Sequence, residues 1–189
     1  MIERCPWPGN NQLMIEYHDK EWGVPLRDER KHFEFLLLEF FQAGLSWLGI
    51  LNKRENFRKA FDDFDPEIIA SYSDAKINML MDDPGIIRNR RKIEASRHNA
   101  GLFLKTAEEF GSFDEYIWHF SGGKPIINQC EKPSDIPTTS PLSDEVAADL
   151  KKRGFKFVGP VTIYAHLQAI GVVNDHLISC FRHAECAKM

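Results

Sequence analysis

Two groups of residues in this chain have types and spacing suited to chemistry. The first is a carboxylate set among apolar residues. Phe33, Leu36, Leu37 and Phe40 recur at helical spacing while Phe35 and Leu38 fill the other side, which predicts a helix buried nearly all round with Glu39 inside it. An unpaired charge there is costly and drives the carboxyl toward its neutral form unless something partners it; Gln42 lies three residues on along the same ribbon. A cationic ligand is one such partner, and a buried arginine or a capping contact is another. The second group is at the two ends. Cys5 and His18 lie at one end and His176 and Cys180 at the other, and the latter pair, one helical turn apart, can face a single ion. Together the four would make a tetrahedral Cys₂His₂ zinc site, with His183 and Cys186 as a competing pair.

These groups must be held by helices. Asp28 can cap the helix that carries Phe33 to Ala43, and Gly44 marks its end or a bend. Trp47 opens a second helix to about Phe61, Asp65-Pro66 a third, and Ser73 or Asp74 a fourth. After Pro84-Gly85 a long helical pattern runs from Ile87 to Leu104, and Ser112 to Glu115 reads as a capping box for a short helix through Phe120. From Ser121 to Leu142 the pattern fails at Gly122, Gly123, Pro125, Pro133, Pro137 and Pro141; a connection of that length is functional or tethered across the surface. Ser143 or Asp144 restarts helix and Gly154 ends it. Gly159-Pro160 then opens a helix from Val161 to about Ile170, and Asn174 or Asp175 caps a last one holding His176 and Cys180. There is no strand-rich region and no internal repeat, so the expected class is all-α.

At 189 residues, with 43% hydrophobic and 28% charged, the chain suits one globular domain over 1–189. No apolar run reaches the roughly 18 residues of a membrane span, and the first residues show no signal-peptide pattern, so the expectation is a cytoplasmic protein without membrane contact. Four cysteines in such a chain are not expected to form a disulfide framework. A net charge of -4 does not advertise a nucleic-acid binder. Local clusters do better: Arg88, Arg90, Arg91 and Lys92 form one, Lys151, Lys152, Arg153 and Lys156 another, and Lys53 with Arg54 a third.

Several stretches carry a resemblance. Glu39 with Gln42-Ala43-Gly44-Leu45-Ser46-Trp47 resembles the signature of the 3-methyladenine DNA glycosylase I family. Tyr17 to Pro25, Lys152 to Gly159, and Val173-Asn174-Asp175-His176 resemble the same family in the same order. The resemblance implies an all-α fold of the helix-hairpin-helix glycosylase type, with the N- and C-terminal segments joined by one structural zinc on Cys5, His18, His176 and Cys180. It implies an enzyme that flips and excises N3-methyladenine from alkylated double-stranded DNA. No lysine is placed by motif to form a Schiff base with the sugar, which favours a monofunctional enzyme, and a monomer is expected. The resemblance places the base pocket on Tyr17, Trp22, Glu39 and Trp47, and the residue pattern adds Trp7 to the aromatics around Glu39.

Gly154 to Thr162 resembles the hairpin element itself, with Lys156 and Gly159 disposed to hold a phosphate at the start of the following helix; a plain helix corner is the alternative. Leu45, after Gly44, is either a wedge for the gap left by a flipped base or a core residue. Asp175 is expected to cap a helix or support His176, although relatives with the hairpin use an aspartate in this region on the sugar. Two departures stand out. Phe40 occupies a position where the family usually carries glycine, which predicts either a narrowed pocket or a shifted base, and Met14 stands where an aromatic is usual.

Overall fold

The computed structural model describes residues 3–189. Ten α-helices follow one another along the described chain: α1 (Gln12–Lys20), α2 (Glu29–Gln42), α3 (Trp47–Ala60), α4 (Pro66–Ala70), α5 (Asp74–Asp82), α6 (Arg90–Phe110), α7 (Phe113–His119), α8 (Pro141–Arg153), α9 (Pro160–Ala169) and α10 (Phe181–Cys186). A parallel pair of two-residue strands, β1 (Ile126–Ile127) and β2 (Val173–Asn174), sets Ile126 opposite Val173. The class is therefore helical, as the periodicity predicts.

The capping chemistry acts where short polar residues precede apolar runs. Asp28, Ser46, Asp65, Ser73 and Ser112 each accept a backbone N–H from the first turn of α2, α3, α4, α5 and α7. Three boundaries differ from expectation. The long helix α6 starts after Asn89, whose side chain caps it, and continues to Phe110. Helix α8 starts earlier than Ser143, because Ser140 and Ser143 cap each other's backbone around Pro141. The segment from Asn174 to Cys180 is not a helix: β2 and a turn occupy it, and the last helix begins only at Phe181.

Helix α2 is the axis of the core. Phe33, Leu36, Leu37, Leu38, Phe40 and Phe41 are fully buried, and the helix packs against α3, α6, α7 and α9. Phe33 meets Phe103 of α6 and Phe41 meets Phe57 of α3, both edge to face. The C-terminal carbonyls of α2 are closed by a neighbouring helix, with Lys92 Nζ donating to the carbonyls of Phe41 and Ala43 at 2.9 Å each.

The segment after α1 is clasped to the end of α9, and the N-terminal segment is joined to the C-terminal one. Gly23 N–H donates to Gln168 O and Leu26 N–H to Ile170 O, while Phe181 N–H donates to Glu3 O. Gly171, at φ +72°, allows this approach: a Cβ there would lie 2.3 Å from the carbonyl carbon of Val24. The segment after α1 thus runs across the end of the same helix that begins at Gly159-Pro160.

Candidate active site and metal centre

Glu39 sits one turn before the end of α2, at the wall of a cavity of about 240 Å³. Its other walls are Trp7 from the N-terminal turn, Met14 and Tyr17 from α1, Trp22 after it, Gln42, Trp47 from α3, Ile136 from the long connection, and Ala165 and Gln168 from α9. All five residues expected around a bound base, Trp7, Tyr17, Trp22, Glu39 and Trp47, therefore converge on one space. Their rings brace one another: Trp47 lies 5.1 Å from Tyr17, and Trp7 lies 5.2 Å from Trp22 in an edge-to-face contact.

The cavity is rich in unsatisfied polar atoms. Glu39 Oε2, Trp7 Nε1 and Trp47 Nε1 are buried without a hydrogen-bond partner. Most buried polar groups are satisfied, so three orphans on one cavity make it a candidate ligand site. Burial pushes the Glu39 carboxyl up to about 8. The alternative of a buried arginine partner fails, because Arg54 is committed elsewhere: its Nε donates to Glu34 and its terminal nitrogens to Glu21. Burial, and then the nearby charge of Glu39, raise the Tyr17 phenol well above its usual range, so it is a neutral hydroxyl.

Gln168, Ala165 and Ile136 were not singled out by the sequence. Ala165 and Gln168 stand three apart on one face of α9, a spacing that marks a shared face but not what the face meets. Ile136 shows that the long connection is tethered over the site.

Cys5, His18, His176 and Cys180 are all buried, and one ligand atom from each lies within 4.8 Å of the others. Cys180 Sγ is 3.5 Å from His18 Nε2 and 3.6 Å from His176 Nδ1, and Cys5 Sγ is 3.7 Å from His176 Nδ1. Ligands bound tetrahedrally at roughly 2.0–2.3 Å stand roughly 3.3–3.8 Å apart, so these donors are spaced for one ion. The opposite ring nitrogens are also engaged: His18 Nδ1 with Asp19 at 2.7 Å and His176 Nε2 with the Trp22 carbonyl at 2.9 Å. Such outer contacts fix the tautomer that leaves the inner nitrogen free to ligate. Gly23 makes room for it, since a Cβ there would lie 2.9 Å from the His176 ring. His183 and Cys186 stand apart from this group; His183 Nε2 bonds the Asn128 carbonyl instead. The expected helical turn between His176 and Cys180 is an irregular turn that brings the same two side chains together.

The turn from 154 to 159 joins α8 to α9 with Gly154 in the left-handed region and Phe157 at φ +60°. Asn99 of α6 holds it, its side chain donating to Lys156 O and accepting from Lys156 N–H at 2.8 Å. Gly159 is the N-cap of α9, where no side chain satisfies the first N–H groups, and Lys156 is exposed. Leu45 is half exposed in the turn between α2 and α3, so it is not a core residue, and with Gly44 it faces Val161 and Thr162 at the start of α9 across a second cleft.

The basic clusters divide differently from their sequence grouping. Lys92 is buried as the cap of α2, Arg153 pairs with Glu109 and Asp149, and Lys53 donates to the carbonyls of Pro84 and Gly85. Arg91 and Lys156 remain beside the hairpin, lining one cleft with Phe157.

Two further expectations are corrected. Phe40 does not narrow the cavity: it does not line it, and its ring stacks on Phe157 of the hairpin at 6.0 Å and on Phe41 at 5.2 Å. Asp175 caps no helix. It is fully buried, accepts from Asn128, Tyr164 and Gln168, and does not line the cavity.

The profile of a family described as methyladenine glycosylase matches residues 7–183. The chain is 45% identical over 179 residues to DNA-3-methyladenine glycosylase 1 of Escherichia coli (strain K12), covering 95% of this chain and 96% of that protein. A crystal structure of a 3-methyladenine DNA glycosylase I superposes with a TM-score of 0.91 at 48% identity, covering 95% and 98% of the two chains. The Staphylococcus aureus enzyme, whose structure concerns recognition of 3-methyladenine, matches with a TM-score of 0.91 at 40% identity over 94% and 95%.

Proposed function

The chain belongs to the methyladenine glycosylase family, and on that premise we propose how its cavity excises N3-methyladenine from DNA during repair. The observation that carries the reading is Glu39, a buried carboxyl with an unpartnered oxygen in an aromatic cavity. N3-methylation leaves the base positively charged. A cation is the partner that this carboxyl lacks, and aromatic faces add cation–π attraction of roughly 0.5–2 kcal/mol.

The base must leave the duplex to reach such a cavity, and a poorly paired lesion costs less to flip than a sound base. Trp47 stacks on the flipped ring while Glu39 accepts from its polar edge and Tyr17 offers a neutral hydroxyl. Leu45, exposed at the turn, fills the vacated stack. Gly159 and Lys156, on the hairpin held by Asn99, take a backbone phosphate of double-stranded DNA at the start of α9, as the helix-hairpin-helix element does.

Bond breaking neutralises the leaving base, so no strong general acid is needed. Water adds to the sugar carbon as the glycosidic electron pair leaves with the base, and the proton lost by water passes to solvent. The cavity orients the base and excludes competing contacts; binding that is equal in ground and transition states would not raise the rate. Without an amine at the sugar carbon the products are free base and an abasic strand that remains intact.

The metal of the Cys5, His18, His176 and Cys180 group is zinc in this reading. Four protein ligands would leave no open position, so the ion would supply structure rather than chemistry, joining the ends of a single domain over 1–189. We further infer a monomer acting in the cytoplasm; among the described residues no helix is long and apolar enough to cross a membrane. The test is release of free base from methylated duplex DNA, resolved by chromatography, for wild type and Glu39→Gln. Selective release of 3-methyladenine, reduced in a folded variant, is expected; no release from folded, zinc-loaded wild type would overturn the proposal.

A further inference from the structure

Gln168 is a cavity wall with one end of its amide already committed. Its Nε2 donates to Asp175 Oδ2 at 2.7 Å. The same oxygen accepts from the hydroxyl of Tyr164 at 2.6 Å, and Asp175 Oδ1 accepts from Asn128 Nδ2 at 2.6 Å. Asp175 is fully buried, and three donors converge on it from α9 and from the connection after β1. A carboxylate can only accept, so the Gln168 amide cannot turn over without setting oxygen against oxygen. Tyr164 and Gln168 lie four apart on α9, which places both on the face that meets Asp175. The backbone is pinned as well, because Gln168 O accepts from Gly23 N–H beside Trp22.

From this geometry we infer that Gln168 is a specificity-determining residue that presents Oε1 to the bound base, and that Asp175 is the positioning residue that holds it in that orientation. This rests on the glycosylase reading and goes beyond it by naming what separates adenine from guanine lesions. Adenine carries an exocyclic amino donor at position 6, whereas guanine carries a carbonyl acceptor there. With Glu39 and Gln168 both offering oxygens, the site accepts from an amino group and sets like against like for a carbonyl. Rejection by an unpaired buried polar group is the strong kind of discrimination. Asp175 thereby serves the reaction through another side chain rather than through the sugar.

The test is the ratio of 3-methyladenine to 3-methylguanine released from one preparation of methylated duplex DNA, under single-turnover conditions. Gln168→Met keeps length but removes the acceptor; Asp175→Asn offers an amide that lets Gln168 rotate. Both should lower the ratio by about tenfold, the factor of one lost hydrogen bond. Both should also retain bound zinc. A merely structural role would lower both releases together and leave the ratio alone, so an unmoved ratio in Gln168→Met overturns the inference while leaving the glycosylase reading intact. Absence of any base release by the wild type would overturn both. Should Asp175→Asn fail to fold, hydrogen exchange of the Gln168 side-chain amide in the wild type tests the lock: protection is expected, and exchange at the rate of a free amide overturns it.

Discussion

His176 Nε2 donates to the carbonyl oxygen of Trp22 at 2.9 Å, and their rings meet edge to face with centroids 4.6 Å apart. One residue is thus a wall of the cavity and the outer support of a histidine that could ligate a metal. Trp7 repeats the arrangement, packing 5.3 Å from His18 and 5.2 Å from Trp22. The Cys5, His18, His176 and Cys180 group and the cavity share a wall of tryptophan.

Zinc loss should therefore reach the base site. Cys180→Ala is expected to lose bound zinc by elemental analysis, to unfold more easily by a margin of several kcal/mol, and to lose activity as a consequence. The tryptophan fluorescence of Trp7 and Trp22 should change with it. Unchanged thermal stability after verified zinc loss would contradict the structural role.

Glu39→Gln should exchange activity for stability. The folded carboxyl is held up to about 8 by burial, so the folded chain keeps a proton that the unfolded chain releases above its ordinary pKa of about 4.3. Stability from this group is intact below that ordinary value and is lost as pH rises through about 8. The variant has no such loss. Its stability should match wild type near pH 4 and exceed it at pH 9 by a few kcal/mol, since each tenfold difference in proton affinity between the folded and unfolded chain is worth about 1.4 kcal/mol. Thermal scans across pH, beside base-release assays, check both halves.

Lys92, buried under the end of α2, and Lys156, exposed on the hairpin, should behave oppositely. Lys92→Met leaves the Phe41 and Ala43 carbonyls without their charged donor and should cost about 2–3 kcal/mol of stability, with the salt dependence of DNA binding unchanged. Lys156→Ala should leave stability within about 0.5 kcal/mol and reduce the slope of log affinity against log salt by about one. Denaturant titrations and binding isotherms at several salt concentrations separate the two.

Phe40→Ala should destabilise the fold by about 3–5 kcal/mol, since it empties a fully buried ring site. Its affinity for free 3-methyladenine, measured on the folded fraction, should stay within about twofold of wild type because the ring does not line the cavity. A large loss of base affinity would place Phe40 in recognition after all.

Helix existence was legible because it is written locally. The caps at Asp28, Asp65, Ser73 and Ser112, the apolar run around Glu39 and the Gly159-Pro160 start depend on residues within a turn or two of one another. Where a boundary depended on which of several polar residues captured the backbone, as at Ser140 against Ser143, local composition could not choose. The stretch from Asn174 to Cys180 misled for another reason. A spacing of four suggests one helical turn, yet β2 pairs with β1, far away in sequence, and holds the segment extended before it turns.

By itself the sequence determined the helical class, the family motifs, the four ligand types at its two ends and the aromatic residues around Glu39, because residue chemistry and short spacing are properties of the chain. Only the tertiary structure decided which charges were free and which were spent. Arg54 went to Glu21 and Glu34, Lys92 to the end of α2, Phe40 to Phe157, and Asp175 to Gln168. Each partner lies on another element, and a buried polar or aromatic group takes its role from whatever packing brings within a few ångströms of it.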